Sequence, residues 1–334
     1  MKNNQLKILL IGSGGREHSL ALKLKESNQN PSLFIAPGNA GTAQCGTNVQ
    51  INDTDIENLL KFAIENEIDL TVVGPEAPLV KGIVNTFNDN NLNIIGPDEI
   101  GAQLEGSKAW SKAFMEKYDI PTASYKEFTN SADAKKYIDD TNQFPIVIKA
   151  DGLAAGKGVT IAATKTEAYS AIEDAIDNDK FQEAGKKIII EDFLDGEEAS
   201  IFAFCDGKTI LPMTPAQDHK AIFDGDKGPN TGGMGAYSPT PLITDELFKT
   251  IKADVFDKVL KGFKEEKIDY RGIVYAGIIV VKGKPLIIEF NARFGDPETQ
   301  VVLPRLKNDL ASIFQAMTTQ TLDTITLEWK PESA

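Results

Sequence analysis

Glu289 and Asn291 stand two residues apart behind an apolar run, Pro285-Leu286-Ile287-Ile288, and Arg293, Asp296 and Glu298 follow them. In an extended chain successive side chains point to opposite faces, so Glu289, Asn291 and Arg293 share one face while Ile288 and Phe290 take the other. A carboxylate and an amide oxygen are hard donors suited to Mg2+ or Mn2+, and a guanidinium beside them can hold phosphate through two parallel N–H bonds. The stretch from Glu289 to Glu298 therefore reads as a metal-phosphate site. A charged strand end running into a turn would show the same Glu-x-Asn spacing.

Lysines and glycines elsewhere point to phosphate as well. Phe144-Pro145-Ile146-Val147-Ile148-Lys149-Ala150 reads as a strand with Lys149 near its end, followed by Asp151-Gly152-Leu153-Ala154-Ala155-Gly156-Lys157-Gly158. A Walker A loop needs four residues between its first glycine and Gly-Lys, and Ser or Thr after the lysine; here there are three, and Gly158 follows. A hairpin flap over a polyphosphate fits better, with glycines permitting close backbone approach. A flexible hairpin with a solvated Lys157 is the plainer alternative. Ile188-Ile189-Ile190-Glu191-Asp192-Phe193-Leu194 is a buried strand entering a connector, whose main chain around Phe193 and Leu194 could read an adenine edge with Glu198 near ribose hydroxyls. Gln217-Asp218-His219-Lys220 precedes a polar loop rich in glycine, Gly228 to Pro239, of the kind that marks close ligand approach or disorder.

The elements that must carry these residues begin with a regular alternation. Strand-like runs Lys7–Ile11, Leu33–Ile35, Leu70–Val73 and Ile94–Ile95 alternate with helical patterns at Ser19–Lys25, Ile56–Glu65 and Val80–Asn88, which is the pattern of a parallel α/β sheet. Its ligands bind at the carboxyl ends of the strands, hence near Gly12 to Gly15, Ala36 to Asn39, Gly74-Pro75-Glu76 and Gly96-Pro97. The first loop is not a dinucleotide fingerprint, because Glu17 stands where Gly-x-Gly-x-x-Gly requires its third glycine, so a nicotinamide dehydrogenase is disfavoured. What is left is a helix N-terminus with Arg16, able to anchor a phosphate or to be only a tight turn. From Ser107-Lys108 a helix runs through Lys117, Pro121 breaks it, and a small α+β lobe spans roughly Tyr125 to Ile190.

Composition bounds the partners. The 334 residues suit two or three domains, and 41% apolar content is enough to bury their cores. A net charge of −14 argues against a general nucleic-acid binder and leaves small anionic ligands open. Cys45 and Cys205 are isolated, so packed free thiols are expected rather than a disulfide framework or zinc site. Without a signal-type segment or an apolar run of spanning length, a soluble cytoplasmic protein is expected.

Six ordered blocks carry a family resemblance: Gly12-Ser13-Gly14-Gly15-Arg16-Glu17-His18, Ala36 to Thr42, Gly74-Pro75-Glu76-Ala77-Pro78-Leu79, Lys149 to Gly158, Gly228 to Pro239, and Glu289 to Glu298. Over nearly its whole length the chain resembles the phosphoribosylamine–glycine ligases (glycinamide ribonucleotide synthetases) of the ATP-grasp superfamily. The resemblance implies an N-terminal parallel-sheet domain, 1–105, and an ATP-grasp domain, 106–330, divided into a small ATP-binding lobe, 122–192, and a central catalytic lobe, 193–330. It implies a C–N ligase that joins glycine to 5-phosphoribosylamine through glycyl phosphate, with ATP as co-substrate, in the second step of de novo purine synthesis. Glu289 and Asn291 would then hold Mg2+ or Mn2+. Lys108 and Lys149 would neutralise the phosphates under a flap containing Gly156, Lys157 and Gly158, and Glu191, Phe193, Leu194 and Glu198 would bind the nucleoside. Arg293 would stabilise the transferring phosphoryl group, with Asp296 close to glycine or the amine. Phosphoribosylamine would lie between Gly14, Gly15, Arg16, Glu17, Asn39, Pro75 and Glu76 on one side and Asp218, Lys220, Asn230, Thr231 and Gly232 on the other. His18 and His219 are expected to be positioning or structural, since this chemistry needs no nucleophile. The strand before Glu-x-Asn, Tyr275 to Val280, offers no acidic ligand, so the number of metal ions stays open. Family members continue into a further small domain; a monomeric, truncated product is expected, and a nucleotide-binding but catalytically impaired fragment is the competing expectation.

Overall fold

The structure is a computed structural model that describes residues 5–154, 158–224 and 227–334, with 221, 227, 229, 230 and 232 described by their backbone alone. The first strands are β1 (Lys7–Gly12), β2 (Ser32–Pro37), β3 (Thr47–Asn48), β4 (Leu70–Val73) and β5 (Ile94–Pro97), all parallel, in the order β5-β4-β1-β2-β3. Both faces of β1 are buried: Ile8 and Leu10 enter one core, Leu9 and Ile11 the other. Burial on two faces is why this strand reads as a continuous apolar run rather than an alternating one. The first helix runs from Gly15 to Lys25, four residues longer at its start than its apolar pattern suggests, because the Glu17 carboxylate reaches back to accept from Gly14 N. The helix expected over Val80–Asn88 is two helices, Glu76–Val80 and Ile83–Asp89, broken at Gly82, whose φ of 77° is left-handed.

After the capped helix Lys108–Lys117, whose N-cap Ser107 accepts from Trp110 N, comes the small lobe. It is an antiparallel sheet of β6 (Tyr125–Phe128), β7 (Ile146–Ala150), β8 (Val159–Ala162) and β9 (Ile188–Asp192), in the order β6-β9-β7-β8. Helices Ser131–Thr141 and Lys165–Ile172 cover it, and their apolar residues form a separate core with Ile146, Ile148, Ile188 and Ile190. The β7–β8 pair is the expected hairpin, registered from Ile146↔Ala162 to Lys149↔Val159.

The remaining strands are β10 (Glu197–Asp206), β11 (Ile210–Pro212), β12 (Gln217–Phe223), β13 (Lys227–Tyr237), β14 (Tyr270–Val281) and β15 (Lys284–Asn291). β14 pairs antiparallel with the whole length of β10 and with β15, and its first residues, Tyr270 and Arg271, pair with Pro97 and Gly96 of β5. The N-terminal and central sheets are thereby one nine-stranded sheet. Each face carries residues from both halves of the chain, such as Phe87 with Phe263 and Tyr270, or Leu20 with Phe204 and Phe314. The glycine-rich segment 228–239 is not a loop or disordered. Most of it is β13, the second strand of a ribbon with β12, because a main-chain ladder forms regardless of side chain; two register shifts accommodate the ribbon's irregularity.

Candidate active site

Strand β15 extends past its apolar run through Asn291, so Glu289 and Asn291 belong to the strand and not to a turn after it. They oppose Gly277 and Tyr275 of β14, and the missing side chain at Gly277 leaves room over Glu289. Around them is a cavity of about 160 Å3 lined by Lys108, Lys149, Glu191, Glu289, Asn291 and Arg293, with Glu76 and Glu105 at one end. Leu104, Met115, Leu153, Val159 and Phe290 supply its apolar walls. Gly158 also lines it, which places the hairpin against the cavity; Gly156 and Lys157 lie outside the described residues.

The cations come from separate elements. Lys149 Nζ, from β7, lies 3.1 Å from Glu191 Oε2 and donates to Ile288 O at 3.1 Å, while Lys108 Nζ donates to Gly152 O at 3.1 Å. Burial drives the Lys108 ammonium below its ordinary range, partly offset by Glu289. Burial raises the acid range of Glu289, but Lys149, Lys220, Lys108 and Arg293 outweigh it, and its carboxyl is held below the usual value. Glu289 is therefore held as a carboxylate among these cations. No group of three His, Cys, Asp or Glu side chains suited to a metal forms among the described residues. One carboxylate and one amide oxygen would suit a divalent ion that takes its other oxygen donors from outside the protein, and do not make an independent metal cage.

Arg293 is not a free cation. Its Nε lies 3.2 Å from Glu76 Oε2, one terminal nitrogen lies 2.7 Å from Glu105 Oε1 and 3.4 Å from Asn291 Oδ1, and the other donates to Phe294 O at 3.2 Å. Burial opposes its charge, but Glu105 and Glu76 raise its already high proton affinity further. Glu105, which is absent from the site residues expected from the sequence, also accepts from Ala292 N at 2.8 Å, and burial holds its carboxyl above the ordinary range despite Arg293. A carboxylate two residues before Ser107-Lys108 was the one available signal.

The first-domain loop is filled from within. Glu17 Oε2 accepts from Gly14 N at 2.6 Å, Glu17 Oε1 accepts from Arg16 Nε at 2.6 Å, and Asp296 Oδ2 accepts from Arg16 N at 3.3 Å. The expected phosphate anchor thus already holds two carboxylates, drawn to the positive end of the helix as a phosphate would be. Asn39 ties this loop to the next, donating to Ser13 O and Gly14 O and accepting from Gly41 N and Thr42 N. Gly74, before Pro75, is where Glu17 packs, and a Cβ there would collide with its carboxylate. Gly74→Ala is expected to lower stability by about 1–3 kcal/mol, read from the urea midpoint at unchanged slope. An unchanged midpoint would mean that Glu17 is not fixed there.

Asp296 stands at Gly14 and Gly15 and outside the cavity lining, with Gln300 Nε2 donating to its Oδ1 at 2.6 Å. The connector backbone at Phe193 and Leu194 lies between β9 and β10 and does not line the cavity. Lys220 Nζ lies 3.5 Å from Asp218 Oδ2, and that oxygen has no hydrogen-bond partner among the described residues. Burial works against the charge of Lys220, but Asp218, Glu289, Glu298 and Glu198 together raise its proton affinity, so this ribbon residue feels the carboxylates of β10, β15 and the segment after it. Thr231 Oγ1 donates to Lys220 O and accepts from Gly233 N. Asn230 and Gly232 are described only as β13 backbone. His18 packs under Gly41 and His219 stacks on Tyr237; neither lines the cavity. A network that sequence reading missed ends the site: Ser200 Oγ and Tyr275 OH both donate to Glu298 Oε1, at 2.9 and 2.5 Å.

Residues 6–105 match the family model of the phosphoribosylglycinamide synthetase N domain, and residues 106–299 match that of the phosphoribosylglycinamide synthetase ATP-grasp (A) domain. Similar curated proteins include the phosphoribosylamine–glycine ligase of Escherichia coli K12, 51% identical over 97% of this chain and 76% of that protein. That of Halalkalibacterium halodurans is 49% identical over 93% of this chain and 73% of its own length, so the chain spans about three-quarters of these relatives. The crystal structure of phosphoribosylamine–glycine ligase from Thermotoga maritima aligns with a TM-score of 0.81 at 32% identity, over 94% of this chain and 76% of that one. The biotin carboxylase domain of Hydrogenobacter thermophilus 2-oxoglutarate carboxylase, solved with MgADP, shares the fold at a TM-score of 0.74 and 16% identity, over 95% of this chain and 70% of that one.

Proposed function

The chain belongs to the phosphoribosylglycinamide synthetase family, and from that membership we propose how its cleft performs the family's ATP-dependent reaction. The reaction ligates glycine to 5-phosphoribosylamine and yields glycinamide ribonucleotide, ADP and phosphate. A carboxylate resists an amine because its leaving group is an oxide. A glycine carboxylate oxygen therefore attacks the γ-phosphorus of ATP, expelling ADP; the amine then attacks the carbonyl carbon of glycyl phosphate, phosphate leaves with the C–O bond, and the nitrogen loses a proton. Catalysis of both steps consists mainly of positioning and charge neutralisation.

The observation that carries this reading is the convergence of Lys108, Lys149, Glu289 and Asn291 on one cavity against the β7–β8 hairpin. Glu289 and Asn291 hold Mg2+ or Mn2+, which when bound neutralises and orients the triphosphate. Lys108 and Lys149 hold the phosphates from the side of the small lobe, 122–192, where Gly158 at the β7–β8 hairpin lines the cavity; Gly156 and Lys157, outside the described residues, are candidates for the same phosphates by their sequence alone. Glu191, Phe193, Leu194 and Glu198 receive the nucleoside. Arg293, oriented by Glu105 and Glu76, presents its remaining N–H groups to the transferring group. Phosphoribosylamine lies across the central lobe, 193–330, between the ribbon residues Asp218, Lys220, Asn230, Thr231 and Gly232 and the first-domain loops. There Gly14, Gly15, Arg16, Glu17, Asn39, Pro75 and Glu76 shape the wall, and Asp296 borders the amine. No helix of the described residues is long and apolar enough to cross a membrane. With a net charge of −14, a cytoplasmic monomer that binds small molecules and no nucleic acid is the consistent setting. The test is glycine-dependent ADP release with phosphoribosylamine generated in place. Release that requires both glycine and the amine is expected, and ADP formation indifferent to glycine would overturn the reading.

A further inference from the structure

Lys112 lies one turn beyond Lys108 on the same helix, and its side chain is 2% exposed. Its Nζ donates to Thr122 Oγ1 at 2.7 Å and to Ala123 O at 3.3 Å, and it lies 3.2 Å from Glu191 Oε2. That same oxygen lies 3.1 Å from Lys149 Nζ, while Glu191 Oε1 has no hydrogen-bond partner among the described residues. One carboxylate oxygen therefore serves two ammonium groups from different elements, both facing the cavity. If Glu191 had Lys149 alone, the two charges would cancel and Lys149 would be locked onto β9. With Lys112 drawing on the same oxygen, the trio keeps an excess positive charge, and a polyphosphate can take up part of the Lys149 donor capacity.

We propose that Lys112 is a positioning residue for ATP, which by sharing the Glu191 carboxylate with Lys149 leaves Lys149 able to bind phosphate. This rests on the reading of the cavity as the ATP site. Thr122 Oγ1, which accepts from Lys112, itself donates to Ile287 O on β15 at 2.7 Å, so the same ammonium also ties the entry of the small lobe to the metal-ligand strand. The groups that face Lys112 are Glu191 from β9, Lys149 from β7 and the Tyr125 ring from β6, 5.7 Å away. Burial lowers its ammonium to about 8 against the attraction of Glu191. As pH rises through that value Lys112 loses its proton, Glu191 turns to Lys149 alone, and ATP binding weakens.

The experiment measures ATP affinity by calorimetry, together with glycine-dependent ADP release, from about pH 6.5 to 9.5, in wild type, Lys112→Met and Lys112→Arg, and in each Lys112 form combined with Glu191→Gln. Wild-type affinity should fall above about pH 8. Lys112→Met should bind ATP about tenfold more weakly at neutral pH, with kcat changed less than KM and no further fall at high pH. Lys112→Arg should restore the affinity and move the fall out of range, since its guanidinium stays charged. In the Glu191→Gln background Lys112→Met should have no added effect, because there is no carboxylate left to share. A Lys112→Met protein with lower Tm but wild-type ATP affinity overturns the proposal and leaves Lys112 a packing residue. A fall that persists in Lys112→Arg assigns the titration to Lys108 and also overturns it. A wild-type protein that binds no ATP overturns the reading of the cavity itself, an outcome distinct from both.

Discussion

Glu289→Ala lowers glycine-dependent ADP release by on the order of a thousandfold and weakens Mg2+–ATP binding in parallel. The reason lies in the charges around it. Lys149, Lys220, Lys108 and Arg293 all hold the Glu289 carboxyl ionised against the pull of burial, so one anion organises the cations of the cleft. Removing it takes away the single carboxylate of the two-oxygen pair that Glu289 forms with Asn291 and leaves like charges facing one another. Glu289→Gln, which keeps the shape and one oxygen, should preserve the fold and still lose most of the turnover. Steady-state kinetics and calorimetry with and without Mg2+ check both variants, and turnover within threefold of wild type in Glu289→Ala would remove Glu289 from the site.

Glu105→Ala is expected to cost about 3–5 kcal/mol of stability, the range for breaking a buried ion pair from one side. Its carboxylate supports Arg293 at 2.7 Å and accepts from Ala292 N at 2.8 Å, so the truncation leaves a buried guanidinium with the partly exposed Glu76 as its only carboxylate and orphans a backbone donor. Because Arg293 borders the cavity, turnover should fall as well, as the fork loses the partner that aims it. Glu105→Gln retains an acceptor for Ala292 N and should lose less stability than Glu105→Ala while keeping the turnover defect. Urea unfolding followed by far-UV dichroism measures the first effect and the ADP assay the second. A Glu105→Ala protein as stable as wild type would mean that Arg293 is held by Glu76 alone.

Local chemistry was legible along the chain. Ser107 opens a helix because its hydroxyl caps Trp110 N, the lysine-glycine segment after Ile146 folds as a hairpin, and Glu289 and Asn291 share a strand face; each depends on neighbours a few residues away. The ribbon strand β13 was not legible, because its glycines carry no periodic pattern and its structure comes from pairing with β12. The register shift between Gly277 and Ile278, which leaves Ile288 with no residue opposite it, was equally silent.

By itself the sequence determined the architecture of alternating strands and helices, the family, and a set of polar residues, Lys108, Lys149, Glu289, Asn291 and Arg293, that the fold brings to one cavity, since these follow from spacing, turn chemistry and donor type. Only the tertiary structure decided how those residues are charged and held. Arg293 reads as a free cation and is bound by two carboxylates, one of them 188 positions earlier in the chain. The Gly14 to Glu17 loop reads as an empty anion anchor and is occupied by Glu17 and Asp296. Lys149 reads, with Lys108, as a cation for phosphate, and its ammonium shares Glu191 with Lys112. Each of these outcomes is a competition between charges brought together by folding, and in a low-dielectric cleft the nearest partner wins however distant it is in sequence.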